Sequence, residues 1–539
     1  MSAGTVLPRR DRARRGALRA LVALALAASF GAVAADEAPA VLTLSAKTPG
    51  PLISRHVFGQ FAEHLGSGIY GGLWVGPDSK IPNTRGLRKD VIAALKALQV
   101  PNVRWPGGCF ADKYHWRDGI GPRGRRPVTL NPDWGGVEEP NAFGSHEFFD
   151  FAQQIGAEAY LSINVGSGTV AEAAGWLEYL TSAKGSTLAR ERVRNGAKAP
   201  FAVALLGIGN ETWGCGGSMK PEEYAAELKK YATFVLNHHP GQQQPPHKML
   251  RIASGPNHGD ERFTDVVMSH WKDHIYSWGM EGLSLHSYTG IEKWPPSHPS
   301  MDFGLDEYAA VLKNTLDMDG YVRRHSAVMD RYDPERKVGL YVDEWGAWYA
   351  PLPGSNPAFL QQQNSQRDAL IAALNLNIFM RHAERVRGAN VAQMVNVLQA
   401  MILTSDRGIV LTPSYHAFRL YIPFQDAQRL PLAFEPGELA VGDVRLPRLD
   451  AVAARGRDGK VWVSLVNIDP ARPLAVELRG DAAAAGLRGE VLAAPRFDAV
   501  NSIDQPQRVL PKPVAVRAEA GRLVLTLPPA SLSVVALEP

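Results

Sequence analysis

Eight short apolar runs, separated mostly by stretches of helical period, constrain this chain more than any other feature. They lie at residues 57–63, 103–107, 157–165, 204–211, 250–255, 283–288, 338–344 and 391–398. Alternating strand and helix demands parallel pairing, and eight such repeats favour a closed (β/α)8 TIM barrel over an open α/β sheet. The intervening stretches read as helices. Leu87, Val91, Ile92, Leu95 and Leu98 are mostly three or four apart, and Pro221-Glu222-Glu223 opens another run to His238 with proline in the first turn and acids at the positive end of the dipole. A barrel of this kind carries its site at the carboxyl ends of the strands.

From about residue 430 the pattern changes. Segments 439–446, 461–466, 474–478, 489–493 and 523–527 are short, mostly rich in Val and Leu, and punctuated by Gly, Pro and Asp, which predicts a C-terminal β-sandwich of jelly-roll type. Val41-Leu-Thr-Leu-Ser45 alternates and is expected to add a strand to that sandwich. The expected division is a signal peptide over 1–35, an N-terminal strand within 36–50, a catalytic barrel over 51–429 and a sandwich over 430–539.

The first 35 residues are read apart from the fold. Arg9, Arg10, Arg12, Arg14, Arg15 and Arg19 precede an apolar run over 20–33 that ends in small residues, the layout of a secretory signal peptide. Arg14-Arg15 loosely matches a twin-arginine signal, with Ala17 where a bulkier residue is usual. Export to the periplasm or medium is therefore expected. Residues 1–34 hold six Arg and one Asp, so without them the formal charge of +4 becomes −1, and the basic pI carries no argument for nucleic acid. No later apolar run reaches ~18 residues, so no membrane span is expected. With 45% hydrophobic and 21% charged residues, 539 residues can bury one large core and a smaller one. Two cysteines, Cys109 and Cys215, exclude a disulfide-built scaffold and a zinc-type cluster; whether they pair is open at this point.

Two of the eight runs end in glutamate: Glu211 closes 204–211 and Glu344 closes 338–344. Glycoside hydrolysis needs one carboxyl group to protonate the leaving oxygen and a second to attack or to activate water. A rigid strand delivers such a group to the barrel mouth, where ordinary strand-end glutamates would serve only as ion-pair partners. Asn210 beside Glu211 could bond a sugar hydroxyl, and Trp213, Trp345 and Trp348 offer flat apolar faces for a ring.

The stretches Phe58-Gly-Gln-Phe-Ala-Glu-His64, Val103-Arg-Trp-Pro-Gly-Gly-Cys-Phe110, Gly209-Asn-Glu211, Leu283-Ser-Leu-His286 with Tyr288, Asp343-Glu-Trp345 and Val395-Asn-Val-Leu-Gln399 run in order along almost the whole barrel. In them the chain resembles the α-L-arabinofuranosidases of glycoside hydrolase family 51, in clan A. The resemblance implies Glu211 as general acid/base and Glu344 as nucleophile of a retaining double displacement. It implies Glu63, Cys109, Asn210, Tyr288 and Gln399 as sugar contacts and Arg104 and His286 as supports for the carboxylates; Trp348, with its flat apolar face, is expected to support them too. It also implies an arabinofuranose-containing poly- or oligosaccharide as substrate, self-association into a homo-oligomer, and no metal or organic cofactor. Gly346-Ala347 and Ser287 depart from the family's usual residues, which touches subsite detail only. If the loops carrying Cys109 and Cys215 converge, a disulfide competes with two free thiols, one of them against sugar.

Other readings are weaker. A clan A glycosidase of different specificity, such as an endo-β-glucanase, would share both carboxylates, and a sugar-binding protein on a degenerate barrel would not need both. Gly166-Ser-Gly168-Thr-Val-Ala171 follows a strand and opens a helix, as a dinucleotide site requires, but falls at the third strand rather than the first, and a tight turn is the simpler reading. His238, His239 and His258 lack metal-ligand spacing, and the Arg-rich stretch 121–127 belongs to a long connection, 118–143, that contains Trp134 and could wall the pocket.

Overall fold

The computed structural model of the protein describes residues 38–273, 278–480, 486–514, 516–519 and 522–538. The expected signal peptide lies outside them.

The eight parallel strands close as expected: β1 (Gly59–Phe61), β2 (Asn102–Trp105), β3 (Glu158–Ile163), β4 (Leu205–Ile208), β5 (Leu250–Ala253), β6 (Gly282–Thr289), β7 (Gly339–Ala347) and β8 (Val386–Val391), with β8 returning to β1. Seven match the apolar runs in place. The eighth is displaced: the strand is Val386–Val391, and the run 391–398 is mostly an irregular loop beyond it, with Asn396 and Leu398 at positive φ. Apolarity marked that loop as strand because it is buried, not because it is extended; all of 391–398 is buried. The helix after β4 runs Pro221–Phe234 and ends short of His238.

Inside the barrel, Tyr160, Leu205, Ile252 and Tyr341 form a buried layer among the strands. Outside, the helix Gln366–Arg381 is buried at every residue but the last, because it is sandwiched between the barrel and the C-terminal sheets. Asn377 donates to Asp450 across that contact at 3.1 Å, Tyr421 bonds Ser464 at 2.7 Å, and Tyr308 donates to the Ile468 carbonyl at 2.8 Å. One apolar cluster accordingly runs from Phe379 and Phe418 of the barrel side into Val466 and Leu532 of the sandwich.

The sandwich has a six-stranded sheet centred on Val461–Asn467 and Ser531–Glu538, and a five-stranded sheet centred on Leu474–Gly480. Strand Ala40–Leu44 joins the second, parallel to Leu474–Gly480 and antiparallel to Leu432–Ala433. Leu42, Leu44, Val463, Leu465, Val476 and Val535 share the core between the sheets. The segment 439–446 is a hairpin rather than one strand, Glu438–Val441 turning at Gly442 (φ +54°) into Val444–Pro447. Among the described residues no helix is long and apolar enough to cross a membrane.

Candidate active site

Barrel register brings the chemistry together. Arg104 pairs with Phe61 of β1 on one side and Tyr160 of β3 on the other, and His286 of β6 pairs directly with Glu344 of β7. Arg104 is buried, its guanidinium 4.7 Å from the Phe61 ring, and donates at 2.7 Å to both Glu344 Oε1 and Asn210 Oδ1. Tyr288 donates to the other oxygen of Glu344 at 2.9 Å. Gly107 and Gly108 follow β2 because nothing larger fits: a Cβ at Gly107 would lie 2.6 Å from Glu63 Cγ, and one at Gly108 would lie 2.7 Å from Glu344 Oε1.

Glu211 stands three residues past the end of β4, at φ +38°, a left-handed backbone that side-chain-bearing residues seldom adopt and that functional sites often hold. His286 Nδ1 lies 2.9 Å from Glu211 Oε1 and 3.6 Å from Glu344 Oε2, while Nε2 lies 3.2 Å from Asp343. One ligand atom each of Glu211, His286 and Glu344 lie within 4.8 Å of one another. The two carboxylates thus face each other across a single imidazole.

Electrostatics sort these groups. Burial raises the Glu211 pKa, the His286 bond pulls it back, and the Glu344 charge adds to the rise, leaving it raised. Burial alone would lower His286, but the carboxylates of Glu344, Asp343 and Glu211 outweigh it and push the imidazole up to about 10. A protonated His286 donates from both nitrogens, which fixes its ring between Glu211 and Asp343. Burial would raise Asp343, yet Arg104 and His286 hold it below its ordinary value, and Tyr160 donates to it at 2.6 Å. Glu63 is driven up to about 7, by burial first and by Glu344 second; it accepts from the backbone N–H of Gly108 and Phe110 and from Gln393 at 3.0–3.1 Å.

Cys109 and Cys215 form a disulfide with Cα atoms 5.5 Å apart, so neither is a free thiol. It ties the loop after β2 to the loop after β4, and Cys215 Sγ lies 3.7 Å from Glu211 Oε2 and 3.8 Å from Asn210 Nδ2. A disulfide sulfur carries no proton, so its approach to Glu211 is a packing contact. Glu211, His286 and Glu344 are also spaced as a cation site would be. Their donors are already occupied, both His286 nitrogens facing carboxylates and Arg104 neutralising Glu344.

Most of the expected residues meet here, with three exceptions. Gln399 is fully buried and its amide is consumed, accepting from Ala347 N–H and donating to the Asp368 carbonyl and Ser414, so it braces the end of β7 instead of facing a ligand. The glutamine at the site is Gln393, which clasps Glu63 through both backbone N–H and carboxylate. Trp345 offers no platform, being fully buried against Phe379 and Phe418, and Trp213 is tied by its N–H to the Gly255 carbonyl. Trp348 is half-buried, edge-on to Tyr288 at 5.0 Å. Trp134, at the tip of the hairpin Thr129–Asn131 and Val137–Glu139 in the long connection after β2, packs against the Phe61 and Tyr288 cluster and walls the site.

Asp343 and Tyr160 were passed over in the sequence. Asp343 adjoins Glu344 in the sequence, whereas Tyr160 is visible only through its register with Arg104. The Gly166-Ser-Gly168 turn has no N–H left for a pyrophosphate: Asp112 accepts from Val165 and Gly166, and Asn164 from Ser167 and Gly168. A separate cleft of about 790 Å³, lined by His146, Phe149 and Phe201, opens beside the start of β3 and β4, at the end of the barrel away from the carboxylates.

Acids at the carboxyl ends of β4 and β7 in a closed barrel, close enough to act on one bond, define a two-carboxylate glycoside hydrolase. Residues 94–290 match the family model described as Alpha-L-arabinofuranosidase 1 domain, and residues 343–531 match the Alpha-L-arabinofuranosidase C-terminal domain. An intracellular exo-α-L-arabinofuranosidase of Bacteroides ovatus is 43% identical over 96% of this chain and 99% of its own length. The crystal structure of the GH51 arabinofuranosidase from Xanthomonas axonopodis pv. citri superposes with a TM-score of 0.89 at 48% identity, over 93% of this chain and 100% of that one. The α-L-arabinofuranosidase of Thermotoga maritima in its arabinose complex gives 0.80 at 30% identity, over 93% and 100%. The chain belongs to the α-L-arabinofuranosidases of glycoside hydrolase family 51. One expectation is corrected by these relatives: the Bacteroides ovatus enzyme is intracellular, which overturns the reading of an exported protein from Arg residues ahead of an apolar run. That pattern is a composition signal, met by any basic stretch followed by alanines and leucines.

Proposed function

We propose that this protein removes terminal α-L-arabinofuranosyl units from arabinan, arabinoxylan or arabino-oligosaccharides, with retention of configuration. The observation that carries the reading is the approach of Glu211 and Glu344 oxygens to within 4.8 Å, with His286 between them. Retention uses carboxyl groups ~5–5.5 Å apart, whereas inversion needs ~6.5–9.5 Å to admit a water between them.

In the first step Glu344 attacks the anomeric carbon and Glu211 passes its proton to the leaving oxygen. Arg104 and Tyr288 aim the Glu344 lone pairs so that little reorganisation accompanies attack. The raised pKa of Glu211 suits it to carry that proton. Once Glu344 is esterified its charge is gone, the repulsion that helps raise Glu211 disappears, and Glu211 can accept a proton from the incoming water. Glu63, Asn210 and Gln393 are the groups placed to meet the sugar hydroxyls. The catalytic unit is assigned to 51–429 and the sandwich to 430–539 with the strand of 36–50; self-association is expected.

The test is hydrolysis of an aryl α-L-arabinofuranoside beside a cellulose-type substrate, by the parent enzyme and by Glu344→Ala. Release from the arabinoside alone, abolished in the variant, supports the reading. Absence of arabinoside hydrolysis by the parent sinks it.

A further inference from the structure

Trp294 is the most exposed large apolar side chain among the described residues, at 74%. Single exposed hydrophobics are ordinary on a protein surface, but this one is placed and held. Its indole meets Trp348 edge-on, centroids 5.6 Å apart and planes at 80°. Trp348 in turn meets Tyr288 edge-on at 5.0 Å, and Tyr288 bonds Glu344. Three aromatic rings therefore step outward from the carboxylate to solvent, buried at Tyr288, half-buried at Trp348 and open at Trp294.

The segment that carries Trp294 is anchored on both sides. Gly290 N–H donates to Asn314 at 2.8 Å before it, and Ala350 N–H to the His298 carbonyl at 3.0 Å after it. His298 also bridges Glu292, at 3.0 Å, and Glu307 on the helix Leu305–Tyr332, so the segment is clipped to the barrel wall within four residues of the indole. An indole that stays on the surface against its hydrophobic cost, with its position fixed in advance, is prepared for a partner with an apolar face. A sugar ring offers such a face in its axial C–H bonds.

We propose that Trp294 is the platform for a sugar ring on the leaving-group side of the scissile bond, beyond the unit next to the reacting carbon, so that oligomeric and polymeric substrates are held where small arabinosides are not. The assignment rests on the arabinofuranosidase function proposed above. It makes Trp294 a specificity-determining residue with no part in bond breaking.

Two substrates separate the claims: α-1,5-linked arabinotriose, which carries a unit beyond the one next to the reacting carbon, and methyl α-L-arabinofuranoside, which carries none. Trp294→Ala should raise KM for arabinotriose about tenfold, the scale of one lost ring contact, while kcat/KM for the methyl arabinoside stays within about twofold. Trp294→Phe, which keeps a flat apolar face, should recover most of the arabinotriose KM. Equal changes on both substrates, or none on either, overturn the platform. Loss of self-association in sedimentation with both substrates unaffected overturns it too, assigning the indole to a subunit contact. Failure of the parent enzyme on both substrates would instead defeat the proposed function, a result visible before any variant is made.

Discussion

The ends of β4 and β7 present the same side chain and treat it differently. Glu344 lies within its strand, in ladder register with His286, its side chain 8% exposed and both oxygens taken by Arg104 and Tyr288. Glu211 lies beyond its strand on a left-handed residue, 18% exposed, with one oxygen on His286 and the other against a disulfide. Fixed donors aim the first; a titratable partner and a raised pKa equip the second to trade a proton. What surrounds a strand tip, more than the glutamate on it, assigns the work.

The asymmetry can be broken from either side. Glu344→Ala should lower kcat on an aryl arabinofuranoside by about 10⁴-fold or more with unchanged circular dichroism; turnover within tenfold of the parent would place the nucleophile elsewhere. Glu211→Ala should be more selective. On alkyl arabinosides with poor leaving groups the loss should approach about 10³-fold, on dinitrophenyl arabinosides much less in the first step, with azide rescuing the second. Equal losses on both would remove Glu211 from the proton-transfer role.

Because the β4 loop is stapled and the β7 end is laddered, opening Cys109–Cys215 should loosen only the first. Cys109→Ser with Cys215→Ser should lower unfolding stability by ~2–4 kcal/mol, the usual range for a cross-link closing a long loop, read by urea denaturation; an unchanged midpoint would show the staple to be idle. The smallest effect is on pH. Activity needs Glu211 protonated, so it falls as pH rises through that pKa, and His286, held cationic up to about 10, pulls that pKa down. His286→Asn removes the pull, so the alkaline limb of kcat/KM should move to higher pH; a downward move would mean that another group sets the limb.

Much of this was readable in the chain. Strand ends deliver Glu211 and Glu344 because apolar runs stop at them, and the barrel follows from the alternation of those runs with helical stretches. The misplacement of the eighth strand has a physical cause: residues 392–400 are buried yet irregular, and apolarity reports burial without reporting extension. Gln399 came from the family resemblance instead, and its amide is spent on Ala347 N–H, the Asp368 carbonyl and Ser414, while Gln393 is the glutamine that meets Glu63. Tyr160 was hidden for another reason, since its role depends on register around a closed barrel, which local sequence does not encode. Trp345 misled because tryptophan beside a catalytic acid reads equally well as platform or as core.

The account's central claim, two close carboxylates acting by double displacement, is tested most directly by the configuration of the first-formed product. Followed by proton NMR during hydrolysis of an aryl α-L-arabinofuranoside, α-L-arabinofuranose should appear first and the β-anomer only by later mutarotation. First appearance of the β-anomer would mean a single displacement by water, and would contradict the assignment of Glu344 as the attacking group.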